Sequence, residues 1–162
     1  MIDSFIAFKD RHKTLKTYLL VIGEHEDLNI ENVIFLQRVD NCLLPIYYSI
    51  ADVYLFYSWL DNCPNSVIEA ICCGLPVICT NQGGTCELIE MSDGGIVVDA
   101  DAQFLYKEIE LYNPPMPDMV EIAKAMDEMY NNYDYYANKI NRDVFDINIV
   151  SRKYLDFIKT NL

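Results

Sequence analysis

Asp61 and Glu69 are two carboxylates separated by Asn62-Cys63-Pro64-Asn65-Ser66-Val67-Ile68. The stretch that links them can do chemistry. Pro64 suits the first turn of a helix, and Gly74 suits the position just past its end. A helix opening near residues 64–66 leaves its first N–H groups without intrahelical partners and carries the positive end of the helix dipole there. Such an end favours an anion, and phosphate fits it well. Pro64 has no N–H, so Cys63, Asn65, Ser66 and Val67 are the candidate donors. Glu69 falls about one turn into the helix. A carboxylate there can reach back to accept from neutral hydroxyls, such as those of a ribose. A plainer alternative stands beside this one: Asp61 or Asn62 starts the turn, and Glu69 is a solvated residue near a favourable dipole end. Spacing alone leaves both open.

The surrounding elements have to place that helix mouth. Thr17–Ile22, Asn32–Leu36, Asp52–Tyr57, Pro76–Thr80 and Gly95–Asp99 are short apolar runs bounded by turn residues, which predicts five strands. Helices are expected over 3–16, 43–50, 65–73 and 101–112. A longer one follows Pro117 through Met119, Ala123, Met126, Tyr130, Tyr133, Ala137 and Ile140, and a last one covers about 148–161. Residues 24–31 read as a loop. Strands alternating with helices predict an α/β fold, a Rossmann-like parallel sheet flanked by helices, with extra C-terminal helices. Ligands sit beyond the carboxyl ends of such strands. The segments 23–27, 37–41, 58–66 and 81–87 are therefore the informative ones.

The bulk properties narrow the partners. A chain of 162 residues is expected to be one domain, and its net charge of −13 argues against nucleic acid. No apolar run approaches the ~20 residues that span a bilayer. The N-terminus lacks the pattern of a signal peptide, so a cytoplasmic protein is expected. The six cysteines contain no C-x-x-C pair, so thiols rather than a zinc site are expected. Four of them lie in apolar stretches and are expected to pack as small core residues. Tyr130, Tyr133, Tyr135 and Tyr136 are expected to be core or half-buried packing rather than a sugar platform. Trp59 could line the cleft or anchor a neighbouring domain, and His25 reads as a surface loop residue.

Several blocks between Asn32 and Asp99 agree in order and spacing with one family. They are Asn32-Val33-Ile34-Phe35-Leu36, Ala51-Asp52-Val53-Tyr54-Leu55 with Ser58, Asp61-Asn62-x-Pro64-Asn65 leading to Glu69-Ala70-x-x-Cys73-Gly74-x-Pro76-Val77, Gly83-Gly84-x-x-Glu87-Leu88-Ile89, and Gly95-Ile96-Val97-Val98. Together they resemble the C-terminal donor-binding domain of family-4 retaining glycosyltransferases, the C-terminal half of a GT-B fold. By that resemblance Glu69 would bind the ribose hydroxyls and Asp61 a hydroxyl of the donor sugar. The backbone at Asn62, Cys63, Asn65 and Ser66 would hold the sugar and distal phosphate. Arg38 and Val39 would edge the base, and Gly83 and Gly84 would let the chain pass close to the donor. No metal and no further cofactor is implied.

There are departures from the family pattern. The first acidic residue is Asp rather than Glu, Gln37 replaces a glycine, and the helix between the first two strands is a loop. The family's leading strand, with its Arg and Lys near the diphosphate, has no counterpart here. Residues 1–162 are thus expected to be a single nucleotide-sugar-binding domain, truncated at its N-terminal strand and without the acceptor domain. The function expected is transfer of a sugar from a nucleoside diphosphate to a hydroxyl acceptor with retention, in polysaccharide or glycoconjugate biosynthesis. The alternatives are a non-catalytic or partner-dependent nucleotide-sugar-binding module and a GT-B-type sugar-nucleotide epimerase. An acceptor-binding domain or subunit is the expected macromolecular partner.

Overall fold

A computed structural model describes residues 1–24, 28–58, 61–99 and 117–161. In chain order the elements are α1 (Ile2–Arg11), β1 (Leu19–Ile22), β2 (Val33–Leu36), α2 (Leu44–Ile50), β3 (Tyr54–Phe56), α3 (Asn65–Cys72), β4 (Val77–Thr80), α4 (Thr85–Ser92), β5 (Gly95–Val98), α5 (Met119–Asn131), α6 (Tyr133–Lys139) and α7 (Ile147–Asn161). Short 3-10 turns precede α2 at Asn41–Leu43 and α7 at Arg142–Phe145.

All five expected strands are present, and every pairing is parallel. They fall into two hydrogen-bonded sets, β1-β2 and β3-β4-β5. The register pairs Leu19 with Val33 in the first set and Val77 with both Tyr54 and Gly95 in the second. All four residues of β4 are buried, as expected of a parallel strand covered on both faces. Ile78 faces one core, with Phe5, Phe8, Leu19, Leu55, Ile122 and Met126 beneath α1 and α5. Val77 and Cys79 face the other, with Val67, Ala70, Ile71 and Leu88 from α3 and α4. Each fully buried aliphatic side chain stabilises the fold by roughly 1.5–3 kcal/mol.

An ionic clasp joins the two helices of the first layer. Asp127 on α5 takes Arg11 Nη2 at 2.9 Å and His12 Nε2 at 2.8 Å. The His12 ring lies 4.6 Å from Phe8 and 5.1 Å from Tyr130, centroid to centroid.

Three helix expectations change. The first helix stops at Arg11 rather than residue 16, and the chain turns there so that Leu15 packs back on the core. The long helix after Pro117 breaks at Asn132 (φ −124°, ψ 28°) into α5 and α6. Ile140 lies beyond it. Asp118 caps α5, its carboxylate accepting from Val120 N–H at 2.8 Å and Glu121 N–H at 3.3 Å. α4 was not expected. Its buried Thr85, Leu88, Ile89 and Ser92 follow a helical step, and Asp93 ends it in the left-handed region at φ 51°. The helix expected over 101–112 lies outside the described residues. α7 forms as expected but buries none of its residues, leaving Ile147, Tyr154 and Phe157 exposed. No helix among the described residues is long and apolar enough to cross a membrane.

Candidate functional site

The chain leaves β3 at Phe56 and reaches α3 through Asp61–Pro64. Asp61 is half-buried, and its Oδ1 accepts the Cys63 N–H at 3.2 Å. That local bond fixes the turn. Pro64 is buried in an extended conformation (φ −69°, ψ 116°), and no side chain caps the helix it begins. Its carbonyl accepts Val67 N–H at 3.1 Å and Ile68 N–H at 3.4 Å. Two of the four expected donors, Cys63 and Val67, are therefore engaged inside the loop and the helix. The N–H groups of Asn65 and Ser66 have no backbone acceptor among the described residues. They are the donors left at the positive end of α3.

The glycine pair shapes this loop from the next strand connection. Gly84 N–H donates to the Asp61 carbonyl at 3.1 Å. A side-chain carbon on Gly83 (φ +66°) would run into the Asp61 carbonyl oxygen, and one on Gly84 into that of Asn62. The close passage these glycines permit is thus between two backbone segments, residues 83–84 against 61–62.

Glu69 is exposed on the outer side of α3, away from the buried Val67, Ala70 and Ile71. Its Oε2 accepts a hydrogen bond from the Tyr48 hydroxyl of α2 at 3.2 Å. The Tyr48 ring stands edge-on to Tyr54, with centroids 5.8 Å apart at 90°. Burial, followed by the nearby Tyr54 and Glu69, pushes the Tyr48 hydroxyl well above the usual phenol range. It is a donor at every physiological pH. Sequence reasoning missed Tyr48, because its partner is 21 positions away on another helix.

Other expected residues are less closely gathered. Arg38, exposed, and Val39, half-buried, follow β2 in the other strand set. No hydrogen bond among the described residues ties them to the Asp61–Glu69 segment. Trp59 and His25 lie outside the described residues. Asn62 is exposed beside the glycine turn.

Two packing expectations are corrected. Of the six cysteines, all free, only Cys79 is buried, while Cys42, Cys63 and Cys72 are exposed. Cys72 lies on the outward side of α3, and Cys42 precedes a helix with no buried residue. Of the four tyrosines, Tyr130, Tyr133 and Tyr135 are exposed and only Tyr136 packs on the core. Tyr130 lies in the last turn of α5, while Tyr133 and Tyr135 follow the break at Asn132 on α6, which has no buried residue. Tyr135 and Tyr136 help line a 260 Å³ cavity with Glu90, Asp93 and Lys139 at the start of β5. That is the end of the strand away from the α3 mouth.

An Asp-x-Asp sequence occurs at Asp99-Ala100-Asp101. Asp99 accepts from Asn81 Nδ2 at 3.1 Å, and the other two residues are outside the described set. No cluster of three or more metal-ligating side chains occurs among the described residues.

Residues 1–113 match the family described as Glycosyl transferases group 1. Over 69 residues the chain is 33% identical to Spore coat protein SA of Bacillus subtilis (strain 168), a stretch that covers 42% of this chain and 18% of that protein. The structure is similar to that of sucrose-phosphate synthase from Thermosynechococcus elongatus, with a TM-score of 0.61 and 21% identity, covering 85% of this chain and 34% of that one. That likeness is one of fold, an α/β GT-B arrangement. The chain spans only a fraction of either relative's length. With residues 1–113 of its 162 inside the family match, the chain belongs to the group 1 glycosyl transferases.

Proposed function

We propose that this chain is the donor-binding half of a family-4 glycosyltransferase that moves a sugar from a nucleoside diphosphate to a hydroxyl acceptor with retention. The observation that carries the proposal is the uncapped mouth of α3 with Glu69 exposed one turn inside it. The free N–H groups of Asn65 and Ser66, at the positive end of a helix, suit the distal phosphate. Glu69, already oriented by Tyr48, accepts from the ribose hydroxyls. Asp61, Asn62 and Cys63 form the edge that meets the sugar. Arg38 and Val39 flank the base from the β2 side.

Transfer also requires the leaving diphosphate to be stabilised as charge develops. The acceptor must be held in line with the anomeric carbon. The chain therefore works with an acceptor-binding domain or subunit, and no metal is needed to bind the donor. Turnover is expected only when that second half is supplied, with a product of the donor's own anomeric configuration by NMR.

The first experiment is a calorimetric titration of the chain with UDP-, GDP- and ADP-sugars. One of them should bind, and Glu69→Ala should weaken it by tenfold or more, since a hydrogen bond to a charged group contributes about 1.5–3 kcal/mol. The melting temperature should stay unchanged, because the Glu69 side chain packs in neither core. Absence of binding by all three at millimolar concentration, or an unaltered affinity in the variant, overturns the assignment.

A further inference from the structure

Glu90 stands where a carboxylate is least favoured. It lies in the last turn of α4, at the negative end of that helix dipole, and Asp93 ends the same helix. No basic residue sits in that turn. Asp93 is offset by Lys139, whose Nζ lies 2.8 Å from its Oδ1. Glu90 has no hydrogen bond or ion pair among the described residues. A local rule broken with nothing to offset it marks a position kept for function.

Glu90 opens onto the 260 Å³ cavity between α4, the start of β5 and α6. The cavity floor is apolar: Ile89 is buried and Val97 half-buried. Its wall is aromatic. Tyr135 and Tyr136 meet edge-on, with centroids 5.2 Å apart at 82°. Lys139 Nζ lies 5.6 Å from the centre of the Tyr135 ring, and the Tyr136 hydroxyl donates to Glu128 Oε1 at 3.3 Å. The rings are held in place, yet Tyr135 keeps 59% of its surface exposed. A held, exposed tyrosine offers contact area at little entropic cost.

The charges select the ligand. Two carboxylates turn away phosphates and other anions. The place of an organic cation, over a tyrosine and against a carboxylate, is already filled by Lys139. The remaining class is a neutral ligand that donates hydrogen bonds to Glu90 and lays an apolar face on an aromatic ring. A pyranose does both, through its hydroxyls and its C–H face. The volume lies below the roughly 300–1,000 Å³ of drug-sized sites, which suits one ring.

We propose that the cavity between α4 and α6 is a second carbohydrate site, which takes one neutral pyranose ring of an oligosaccharide. Glu90 accepts from the ring hydroxyls, and Tyr135 meets the C–H face. β5 is four residues long, roughly 13 Å at about 3.3 Å per residue, and the cavity is at its end away from the α3 mouth. A ring seated here is therefore not one held at that mouth, and the proposal is independent of what α3 binds.

The test is an NMR titration of the full chain with methyl glucoside, methyl galactoside, methyl mannoside, N-acetylglucosamine, cellobiose and maltose, each into the tens of millimolar. At least one should shift the amides of Glu90, Asp93, Tyr135 and Lys139 along a saturating curve. Tyr135→Ala should weaken that binding fivefold or more, and Glu90→Gln twofold or more. Glu90→Gln should also leave the melting temperature unchanged or raised, since it removes charge from the negative helix end. A merely structural Glu90 would give the opposite. Tetramethylammonium chloride and sodium phosphate are the controls. The site is overturned if no saccharide shifts those amides, if either variant keeps the native affinity, or if Glu90→Gln lowers the melting temperature. It is also overturned if a control shifts the same amides at equal or lower concentration, or if the saccharide shifts gather at Asp61, Asn65 and Ser66 instead. Affinity of Tyr135→Ala for a nucleotide sugar should match that of the native chain, which keeps this test separate from that of the α3 mouth.

Discussion

Tyr48 and Glu69 form a pair that neither residue type announces. The phenol reaches from α2 to the carboxylate on α3, and its ring is steadied edge-on by Tyr54. Tyr48→Phe keeps the ring and removes the donor. We expect a two- to tenfold weaker donor affinity by calorimetry, since one net hydrogen bond is worth about 0.5–1.5 kcal/mol. The melting temperature should hardly move. The Asp61–Glu69 spacing was legible because both residues belong to one continuous loop and helix. Tyr48 was not, because only packing brings α2 beside α3. Cys79 shows the converse. Its place in a short apolar run was enough to bury it, whereas the same reasoning failed for exposed Cys72. Burial pushes the Cys79 thiol up to about 12. Its folded pKa is thus raised, so the stability gained by burying it neutral is complete below the ordinary thiol range. That stability is lost as pH rises from there toward 12. At pH 8 iodoacetamide should label Cys42, Cys63 and Cys72 well before Cys79, read by mass spectrometry of peptides.

Elements separated in sequence share the work of shaping the loop. The glycine turn of 83–84 touches the backbone of 61–62 and so helps to shape that loop. Gly84→Ala places a carbon where the Asn62 carbonyl oxygen stands, and backbone must move to admit it. We expect a loss of about 0.5–3 kcal/mol in stability by urea titration and at least a tenfold loss of donor affinity. At Gly94 the added carbon would meet Ser92 Oγ and Ile71 side-chain atoms instead. A comparable loss of stability there should leave the affinity alone. The glycines were visible in the sequence as special, but what they approach was not. Strands were legible because four apolar residues between turn residues admit few other readings. Helix ends were not, because Asn132 and Asp93 break or end helices through left-handed or irregular backbone that composition does not signal. α4 escaped notice because it is short and half its residues are polar.

The molecule as a whole carries a charge of −13, which opposes both its own compaction and the approach of a diphosphate. Raising sodium chloride from 20 to 200 mM should raise the melting temperature, and donor affinity should not fall. α7 contributes no buried residue. Deleting residues 147–162 should therefore shift the melting temperature by no more than about 2 °C, since the cores that set it remain. The fold class was legible at this scale from the alternation of strands and helices. The division of the strands into two sets was not, because pairing across the sheet depends on neighbours that periodicity does not count. The clasp between α1 and α5 joins the first helix of the chain to one more than a hundred residues later. During synthesis on the ribosome, Phe5 and Phe8 emerge more than a hundred residues before their cover, Ile122 and Met126. The first layer cannot close until α5 has left the exit tunnel. Nascent chains arrested before residue 117 should consequently bind chaperones that recognise apolar segments, and full-length chains should release them.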